Sequence, residues 1–232
     1  MFSAKTYAAR RNMLRTKIGS GIVLFPGNPL SPNNYPNNAY YFRQDSSFLY
    51  YFGLNIPSLA GLIDADTGEE ALYGDDFTVE DIIWTGPQPT LRELGAKVGI
   101  AATHPLSELE KRLRKAISLG RKILFLPPYR GETELWLSSL LGIKPTLLHD
   151  YKSVDLMFAV AEMREKKSAE EVEEMERAFQ IGYKMHTLAM KMCRPGVVER
   201  KADPLLQSLA AGGQPERVPP ECAPLPSARL RE

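Results

Sequence analysis

Three histidines, His104, His149 and His186, are the side chains best suited to metal or acid–base chemistry in this sequence. A protein metal site needs several convergent imidazole or carboxylate ligands. His149 is followed by Asp150, but adjacent side chains seldom point together, and no third ligand is evident. His186 falls on the inner stripe of a predicted helix, which favours a core or interdomain position. The sequence therefore predicts no metal ligand and no catalytic or cofactor-binding residue in this chain.

An acidic stretch is a second candidate for chemistry, in this case the binding of a cation. Its members are Asp64, Asp66, Asp75, Asp76 and Asp81. The same residues suit hairpin turns and a helix cap, because Asp side chains accept hydrogen bonds from nearby backbone N–H groups. We favour the interpretation as turns and a cap over a cation site.

A dense run of aromatic residues between positions 39 and 53 reads AYYFRQDSSFLYYFG. Such a cluster can stack the bases of single-stranded nucleic acid, but that role needs interleaved basic residues, and this run contains only Arg43. A buried core and a subunit contact are the preferred interpretation. No glycine-rich phosphate loop and no G-x-S-x-G element occurs, so nucleotide-binding and serine-hydrolase functions lack support.

The charge balance and the apolar runs exclude further classes of partner. Lys and Arg number 29 against 28 Asp and Glu, which gives a net charge of +1. A nucleic-acid or anionic-membrane partner would require a clustered basic footprint, and none is visible. No apolar run approaches the roughly 18–20 residues of a membrane helix. The chain has 2 cysteines, so the sequence predicts no disulfide framework and a cytoplasmic, reducing location.

Hydrophobic periodicity and turn signals predict alternating helices and strands up to about residue 155, which indicates a mixed α/β domain. The first helix covers residues 3–18, with Tyr7, Leu14 and Ile18 at helical spacing. The aromatic run contains a short helix that begins at Asp45 or Ser46 and ends at Gly53. The other predicted elements are a strand at 22–25 buried on both faces, a hairpin of strands 59–64 and 70–73, a helix after Pro105 with Leu106, Leu109, Leu113 and Ile117 on one stripe, a strand at 122–126 and a helix at 131–141.

The clearest predicted helix covers residues 168–193. Ser168 and Glu171 form a capping-box pattern at its start, and Pro195 and Gly196 end it. The composition then changes, because the last 32 residues contain 6 prolines and no aromatic residue, isoleucine or methionine. Such a segment has little apolar surface to offset the entropy of ordering. We expect residues 200–232 to form a disordered tail.

Three stretches, taken in order, resemble the creatinase, prolidase and aminopeptidase P superfamily. They are FRQDSSFLYYFGLNIPSLAGLID from Phe42 to Asp64, the four residues Ile83 to Gly86, and MREKKSAEEVEEMERAFQIGYKMHTLAMKMCRPGVVE from Met163 to Glu199. The resemblance implies an α/β fold with a mixed sheet flanked by helices, followed by the first helix of a "pita-bread" catalytic domain. The implied domains are an aminopeptidase P N-terminal domain at 1–160, a linker and first catalytic helix at 161–199, and the tail at 200–232.

The resemblance also implies a chemistry that this chain does not carry. Members of the family hydrolyse the bond before a proline with two divalent metals, commonly manganese, that activate a bridging water. Their ligands are two Asp, one His and two Glu, and all lie beyond the R-P-G element that ends the matching stretch. No position here corresponds to them. We therefore expect no cofactor in this chain, and a truncated polypeptide that is inactive alone and whose parent acts on peptides.

Trp84, within the second matching stretch, is the one residue with a candidate functional role. In oligomeric members of the family this domain packs near the active-site mouth of a neighbouring subunit, so Trp84 could shape that entrance. A partly buried structural tryptophan is the preferred alternative. The expected function is a domain for homo-oligomerisation and substrate access in a Xaa-Pro aminopeptidase. Two alternatives stay open, namely a catalytically dead, chaperone-like binding module of the same fold and a fragment of a Xaa-Pro dipeptidase.

Overall fold

A computed structural model describes residues 1–35 and 38–198. The chain divides into two units, one of residues 1–166 and one that begins at residue 167. The helices are α1 (Ala4–Ile18), α2 (Ser46–Phe52), α3 (Val79–Thr85), α4 (Leu91–Lys97), α5 (Leu106–Ser118), α6 (Gly131–Leu141), α7 (Pro145–Leu148), α8 (Val154–Glu165) and α9 (Ala169–Met192), with a 3₁₀ turn at His149–Tyr151. The strands are β1 (Ile22–Pro26), β2 (Ala60–Asp64), β3 (Glu70–Tyr73), β4 (Ala102–His104) and β5 (Ile123–Leu124).

The first unit is built on one mixed sheet with the strand order β4-β3-β2-β1-β5. The hairpin of β2 and β3 is antiparallel, and β2 also pairs antiparallel with β1. The outer strands β4 and β5 run parallel to β3 and β1, respectively. The carboxyl ends of β1, β3, β4 and β5 therefore lie at one edge of the sheet, beside the start of β2. The predicted mixed α/β fold is confirmed.

Helices cover both faces of the sheet because alternate residues of each strand point to opposite sides. In β1, Val23 and Phe25 belong to a core that also contains residues of α1, α2, α4 and α8. Ile22 and Leu24 belong to a second core with residues of α5 and α6. All four side chains are at most 1% exposed, which confirms that this strand is buried on both faces.

Two neighbouring arginines of α1 hold the end of α2. Arg10 donates to the carbonyl of Tyr50 at 2.9 Å, and Arg11 donates to that of Tyr51 at 3.0 Å. The last carbonyls of a helix have no partner within the helix and carry partial negative charge, so cationic donors stabilise them. Gly53 ends α2 with a φ of 67°, and Asp45 caps its start, as the sequence predicts. The aromatic run is therefore fixed at both ends.

Several predicted boundaries differ from the structure. The stripe of α5 is buried at Leu109, Leu113 and Ala116, whereas Ile117, predicted on that stripe, is 44% exposed. The strand predicted at 122–126 contains only the two residues of β5. The helices α3, α4, α7 and α8 and the strand β4 were not predicted. Both α3 and α4 begin at capping boxes, Thr78 with Asp81 and Thr90 with Glu93.

The second unit begins with the predicted capping box. The Ser168 hydroxyl accepts the backbone N–H of Glu171 at 3.3 Å, and the Glu171 carboxylate accepts that of Ser168 at 2.8 Å. This arrangement satisfies two backbone donors at the start of α9 and confirms the predicted helix. The predicted tail at 200–232, including Cys222, lies outside the described residues.

Asp64, at the end of β2, is the most strongly held carboxylate of the acidic stretch. Its side chain is 1% exposed and accepts hydrogen bonds from Arg121 at 2.6 and 2.9 Å. Its Oδ1 also accepts the backbone N–H groups of Asp66 and Thr67, both at 3.1 Å. Burial raises the pKa of Asp64, but hydrogen bonds from Arg121 and Thr67 outweigh this effect and lower the pKa to about 2. Asp64 thus serves a turn, as predicted.

The lowered pKa predicts a pH-dependent contribution of Asp64 to stability. A depressed folded-state pKa stabilises the fold above the unfolded value near 3.8, and this contribution disappears as the pH falls toward 2. We expect Asp64→Asn to lower the free energy of unfolding by about 2 kcal/mol at pH 7. Urea unfolding at several pH values should show this difference shrinking between about pH 4 and pH 2.

The control for this measurement is Glu162→Gln. Glu162 forms an exposed pair with Lys17 at 2.8 Å, and such pairs contribute little because water screens them. Above about pH 4, Glu162→Gln should change the free energy of unfolding much less than Asp64→Asn does. A difference between wild type and Asp64→Asn that stays constant down to pH 2 would contradict the assigned pKa.

Candidate functional site

The short helix α3 carries Trp84 together with other exposed apolar side chains. Its first turn is closed by a capping box in which the Thr78 hydroxyl accepts the Asp81 N–H at 3.2 Å. The Asp81 carboxylate accepts the Thr78 N–H at 2.9 Å and the Thr78 hydroxyl at 2.6 Å, and these bonds lower the pKa of Asp81. Gly86 ends the helix with a φ of 75°, a conformation that favours glycine.

None of the residues of α3 is buried. Trp84 is 83% exposed, so the expectation of a partly buried structural tryptophan is wrong. Ile83 is 75% exposed, and Val79 is 77% exposed. We call the apolar side chains of this segment the α3 patch, which consists of Phe77, Val79, Ile82, Ile83 and Trp84. Apolar residues at helical spacing are normally buried, so a patch of this kind on an exposed helix indicates a contact surface.

Two aspartates position the segment that leads into α3. Asp75 accepts the backbone N–H of Leu106, the first residue of α5, at 3.0 Å. Asp76 accepts the N–H of Leu91, the first residue of α4, at 2.5 Å. These carboxylates cap two helices from a distance, and the interpretation of the acidic stretch as turns and caps is confirmed for both. These two hydrogen bonds hold the segment before α3 against the starts of α4 and α5.

A groove of about 310 Å³ lies beside the α3 patch. Its walls combine apolar side chains with the carboxylates of Asp75, Asp76 and Asp81. The other residues that form it are Ile56, Pro57, Ser58, Leu59, Phe77, Thr78, Pro89, Leu91 and Leu94. Another cavity, of about 250 Å³, shares Ser58 and Leu59 with this groove.

The aromatic run of residues 39–53 contains both buried and exposed side chains. Phe48, Tyr51 and Phe52 are fully buried, and the rings of Phe48 and Phe52 stack at 5.0 Å. These three residues confirm the predicted core. Tyr40 and Tyr41 are 61% and 101% exposed, so they belong to the surface.

The residues described by the structure do not bring the histidines together with other metal ligands. His104 lies on β4 with its ring 5.4 Å from that of Tyr73. His149 is exposed in a 3₁₀ turn, and its carbonyl accepts a hydrogen bond from Lys152. His186 is exposed on α9, where the sequence predicted a core or interdomain position. Within residues 1–35 and 38–198, no three His, Cys, Asp or Glu residues form a group that fits a metal ion.

A search of the helices in the described part of the chain finds none with the length and apolarity needed to cross a membrane.

Comparisons with known proteins agree with this geometry. Residues 7–123 match the family described as "Aminopeptidase P, N-terminal domain". A Xaa-Pro aminopeptidase of Escherichia coli is 28% identical over 85% of this chain and 46% of its own length. An uncharacterized peptidase of Saccharomyces cerevisiae is 26% identical over 80% of this chain and 32% of its own length. The chain thus spans less than half the length of these relatives.

Solved structures show the same fold. Aminopeptidase P of Escherichia coli superposes with a TM-score of 0.74 at 23% identity, covering 91% of this chain and 50% of that structure. Aminopeptidase PepP of Pseudomonas aeruginosa superposes with a TM-score of 0.74 at 21% identity, covering 90% of this chain and 49% of that structure.

Proposed function

Because the chain belongs to the aminopeptidase P N-terminal domain family, we propose that residues 1–160 form the oligomerisation and substrate-access domain of a Xaa-Pro aminopeptidase. In this proposal α9 is the first helix of a pita-bread catalytic domain. The observation that carries the proposal is the exposure of Trp84 within the α3 patch. The 2 cysteines in the sequence suit a cytoplasmic, reducing compartment for such an enzyme.

The α3 patch has the composition of an interface core. Aromatic residues are enriched at the centres of protein contacts, where tryptophan often carries a large part of the binding energy. A helix of 7 residues is marginal in water by itself, so contacts outside its own turns must hold it. A neighbouring subunit that covers Ile83 and Trp84 would supply such contacts. Trp84 would then stand where a peptide substrate enters the partner's active site.

Replacing Trp84 with alanine should weaken self-association of the 232-residue chain. Loss of a central tryptophan commonly costs about 2 kcal/mol or more of binding free energy, which is roughly a 30-fold increase in the dissociation constant. Light scattering over a concentration series up to ~0.1 mM, a generous range for a specific contact, measures this constant.

Tyr151→Ala is the matched control, because Tyr151 is 59% exposed and lies outside the α3 patch. This variant should associate like the wild type. A wild-type chain that stays monomeric over the whole range, or a Trp84→Ala variant that associates equally well, would argue against the subunit contact. A monomer that captures a different protein through Trp84 would instead favour the binding-module alternative.

We also propose that this chain by itself does not hydrolyse Xaa-Pro peptides. The divalent metals that the family implies require a group of carboxylate and imidazole ligands, and the described residues do not fit them. Asp64, Asp75, Asp76 and Asp81 already accept structural hydrogen bonds, as described above. We therefore derive no step of the reaction through a metal.

The expected result is no release of the first residue from a Xaa-Pro tripeptide, with or without added manganese, cobalt or zinc. Metal content of the purified protein should be measured in the same preparation. Stoichiometric bound metal together with saturable, chelator-sensitive turnover would show the proposal to be wrong. A trace rate without bound metal would indicate a contaminating peptidase and would leave the expected result standing.

A further inference from the structure

The cavity of about 250 Å³ lies at the edge of the sheet where four strands end. It is enclosed by the segment after β1, the segment before β2, the start of α5 and the first turns of α6. The residues that form it are Gly27, Pro29, Ser58, Leu59, Leu106, Glu132, Thr133 and Trp136. In open α/β sheets, ligands bind outside the carboxyl ends of strands where neighbouring connections diverge. The chain leaves β1 toward β2 on one side, and β5 lies on the other.

The backbone around this cavity is held in an unusual conformation. Ser58 has a φ of 60°, the only positive value outside glycine among the described residues. Its backbone N–H donates to the Asn28 carbonyl at 3.0 Å, and the Gly27 N–H donates to the Leu59 carbonyl at 2.7 Å. Strained residues of this kind persist where surrounding contacts fix them, and they are common at binding sites. These two hydrogen bonds fix the backbone of Gly27, Ser58 and Leu59 beside the cavity.

Thr133 supplies a polar group that the fold leaves unsatisfied. The residue is 8% exposed, and its hydroxyl oxygen has no hydrogen-bond partner in the described part of the chain. A buried hydroxyl without a partner costs free energy, and natural proteins usually satisfy such groups with protein, water or ligand. Thr133 also borders a cavity of about 30 Å³ together with Asn28, Asp45 and Tyr129.

Glu132 gives the cavity a negative charge at its rim. Its side chain is 50% exposed, and it lies 3.6 Å from Arg130 and 3.5 Å from the Ser31 hydroxyl, both long contacts. The N-terminal turn of α6 stabilises this charge. Among the residues that the structure describes, no Lys or Arg lines the cavity. Apolar side chains also line the cavity, among them Leu59, Leu106 and Trp136.

From this arrangement we infer that the cavity binds a small organic ammonium ion with an apolar body. The ammonium group donates to the Glu132 carboxylate, and the aromatic ring of Trp136 attracts the same positive charge. The apolar body packs against Leu59 and Leu106. An anion is disfavoured by Glu132, and a neutral molecule gains no ionic contact. This inference is independent of the proposed subunit contact, because Trp84 does not form part of the cavity.

The experiment uses the complete 232-residue chain labelled with ¹⁵N and titrated with 2-phenylethylammonium. The protein has 2 tryptophans, and their indole N–H signals are assigned with Trp84→Phe. We expect the Trp136 signal to shift saturably with a dissociation constant on the order of 1 mM, as suits a ligand of about nine heavy atoms. The Trp84 signal should not move. 2-Phenylethanol and 3-phenylpropionate, of similar shape, should bind at least about tenfold more weakly.

One variant tests the ionic contact with the ligand, and two others serve as controls. Glu132→Gln should weaken ammonium binding about tenfold, whereas Glu134→Gln, on the same helix and outside the cavity wall, should leave it unchanged. Thr133→Val should leave ammonium binding unchanged and the unliganded protein as stable or more stable, because it removes a buried, unsatisfied hydroxyl that the cavity does not reach. Equal binding of the alcohol and the ammonium ion, or no saturable shift of Trp136, would overturn the inference.

Discussion

Replacing Arg11 with methionine is expected to lower the free energy of unfolding by about 3–5 kcal/mol. Arg11 is a fully buried charge in the middle of α1. Its Nε donates to Glu70 of β3 at 2.7 Å, and its Nη1 donates to the Tyr51 carbonyl at 3.0 Å. Its Nη2 donates to the Val98 carbonyl at 3.0 Å. One side chain thus joins the sheet to the carboxyl ends of two helices.

The size of the effect follows from what the substitution leaves behind. Methionine fills part of the same volume but donates no hydrogen bond, so the helix-end carbonyls of α2 and α4 lose a buried partner. The carboxylate of Glu70, which is 22% exposed, also loses its counter-charge. Breaking a buried pair by removing one partner is costly because the remaining charge stays desolvated. Urea unfolding followed by circular dichroism gives the change in unfolding free energy.

Arg114→Met provides the matched control. Arg114 pairs with Glu110 on the surface of α5 at 2.6 Å, and its side chain is 66% exposed. Arg114→Met should lower the free energy of unfolding by less than about 1 kcal/mol, because water solvates Glu110 when the pair is removed. Adding Glu70→Gln to Arg11→Met should recover part of the loss by removing the unpaired carboxylate. If Arg11→Met lowers the free energy of unfolding by less than about 1 kcal/mol, the hydrogen bonds of the buried arginine contribute little to stability, and the prediction is wrong.

Arg11 also shows where sequence reasoning fails in this fold. Periodicity places position 11 on the same stripe as Tyr7 and Leu14, which are buried as predicted. The residue type argues for the surface, because arginine is almost never fully buried without partners. Those partners come from positions 51, 70 and 98, so no local pattern reveals them. The helix was predictable, and its central polar contact was not.

The boundaries of elements were predictable where the stop signals are local. Gly53 and Gly142 end α2 and α6 at the predicted positions, because both adopt positive φ values that favour glycine. The capping boxes of α3 and α4 were equally local signals, and attention to Thr78 and Thr90 would have located both helices. Asp75 and Asp76 differ, because each caps a helix through a residue 31 or 15 positions away.

The candidate sites were predictable only in part. The family resemblance singled out Trp84, but only the structure reveals that this side chain is 83% exposed. Periodicity alone predicts that an apolar stripe on a helix is buried. The cavity beside Thr133 had no sequence signal. Its residues come from four separated segments, and a positive φ at Ser58 cannot be inferred from serine.

Replacing Gly61 with alanine is expected to lower the free energy of unfolding by about 3 kcal/mol. Gly61 is the second residue of β2, where it pairs with Phe25 of β1 and Leu72 of β3. A Cβ added there would lie 2.2 Å from Cζ of Phe52 and 2.3 Å from its Cε2. Real side chains do not approach this closely, so either the ring or the strand must shift.

Neither of these can shift easily. The Phe52 ring is fully buried, stacks on Phe48 at 5.0 Å and meets the edge of Phe25 at 6.0 Å. The strand is paired on both sides in the centre of the sheet. Interiors packed at this density accommodate extra atoms only through strained rotamers or backbone movement. Gly131→Ala controls for the added methyl, because no atom lies within 4 Å of that position, and we expect its effect to be below about 0.5 kcal/mol.

A double-mutant cycle with Phe52→Leu separates the clash from any intrinsic cost of alanine in the strand. Leucine lacks the Cζ and Cε atoms that the new methyl would meet, so the clash disappears in that background. Phe52→Leu destabilises the protein by itself, because it removes buried ring atoms. Gly61→Ala should then cost less than about 1 kcal/mol more, which gives a coupling energy of about 2 kcal/mol between two contacting positions. Strictly additive losses would show that alanine disfavours the strand for a reason other than the Phe52 ring.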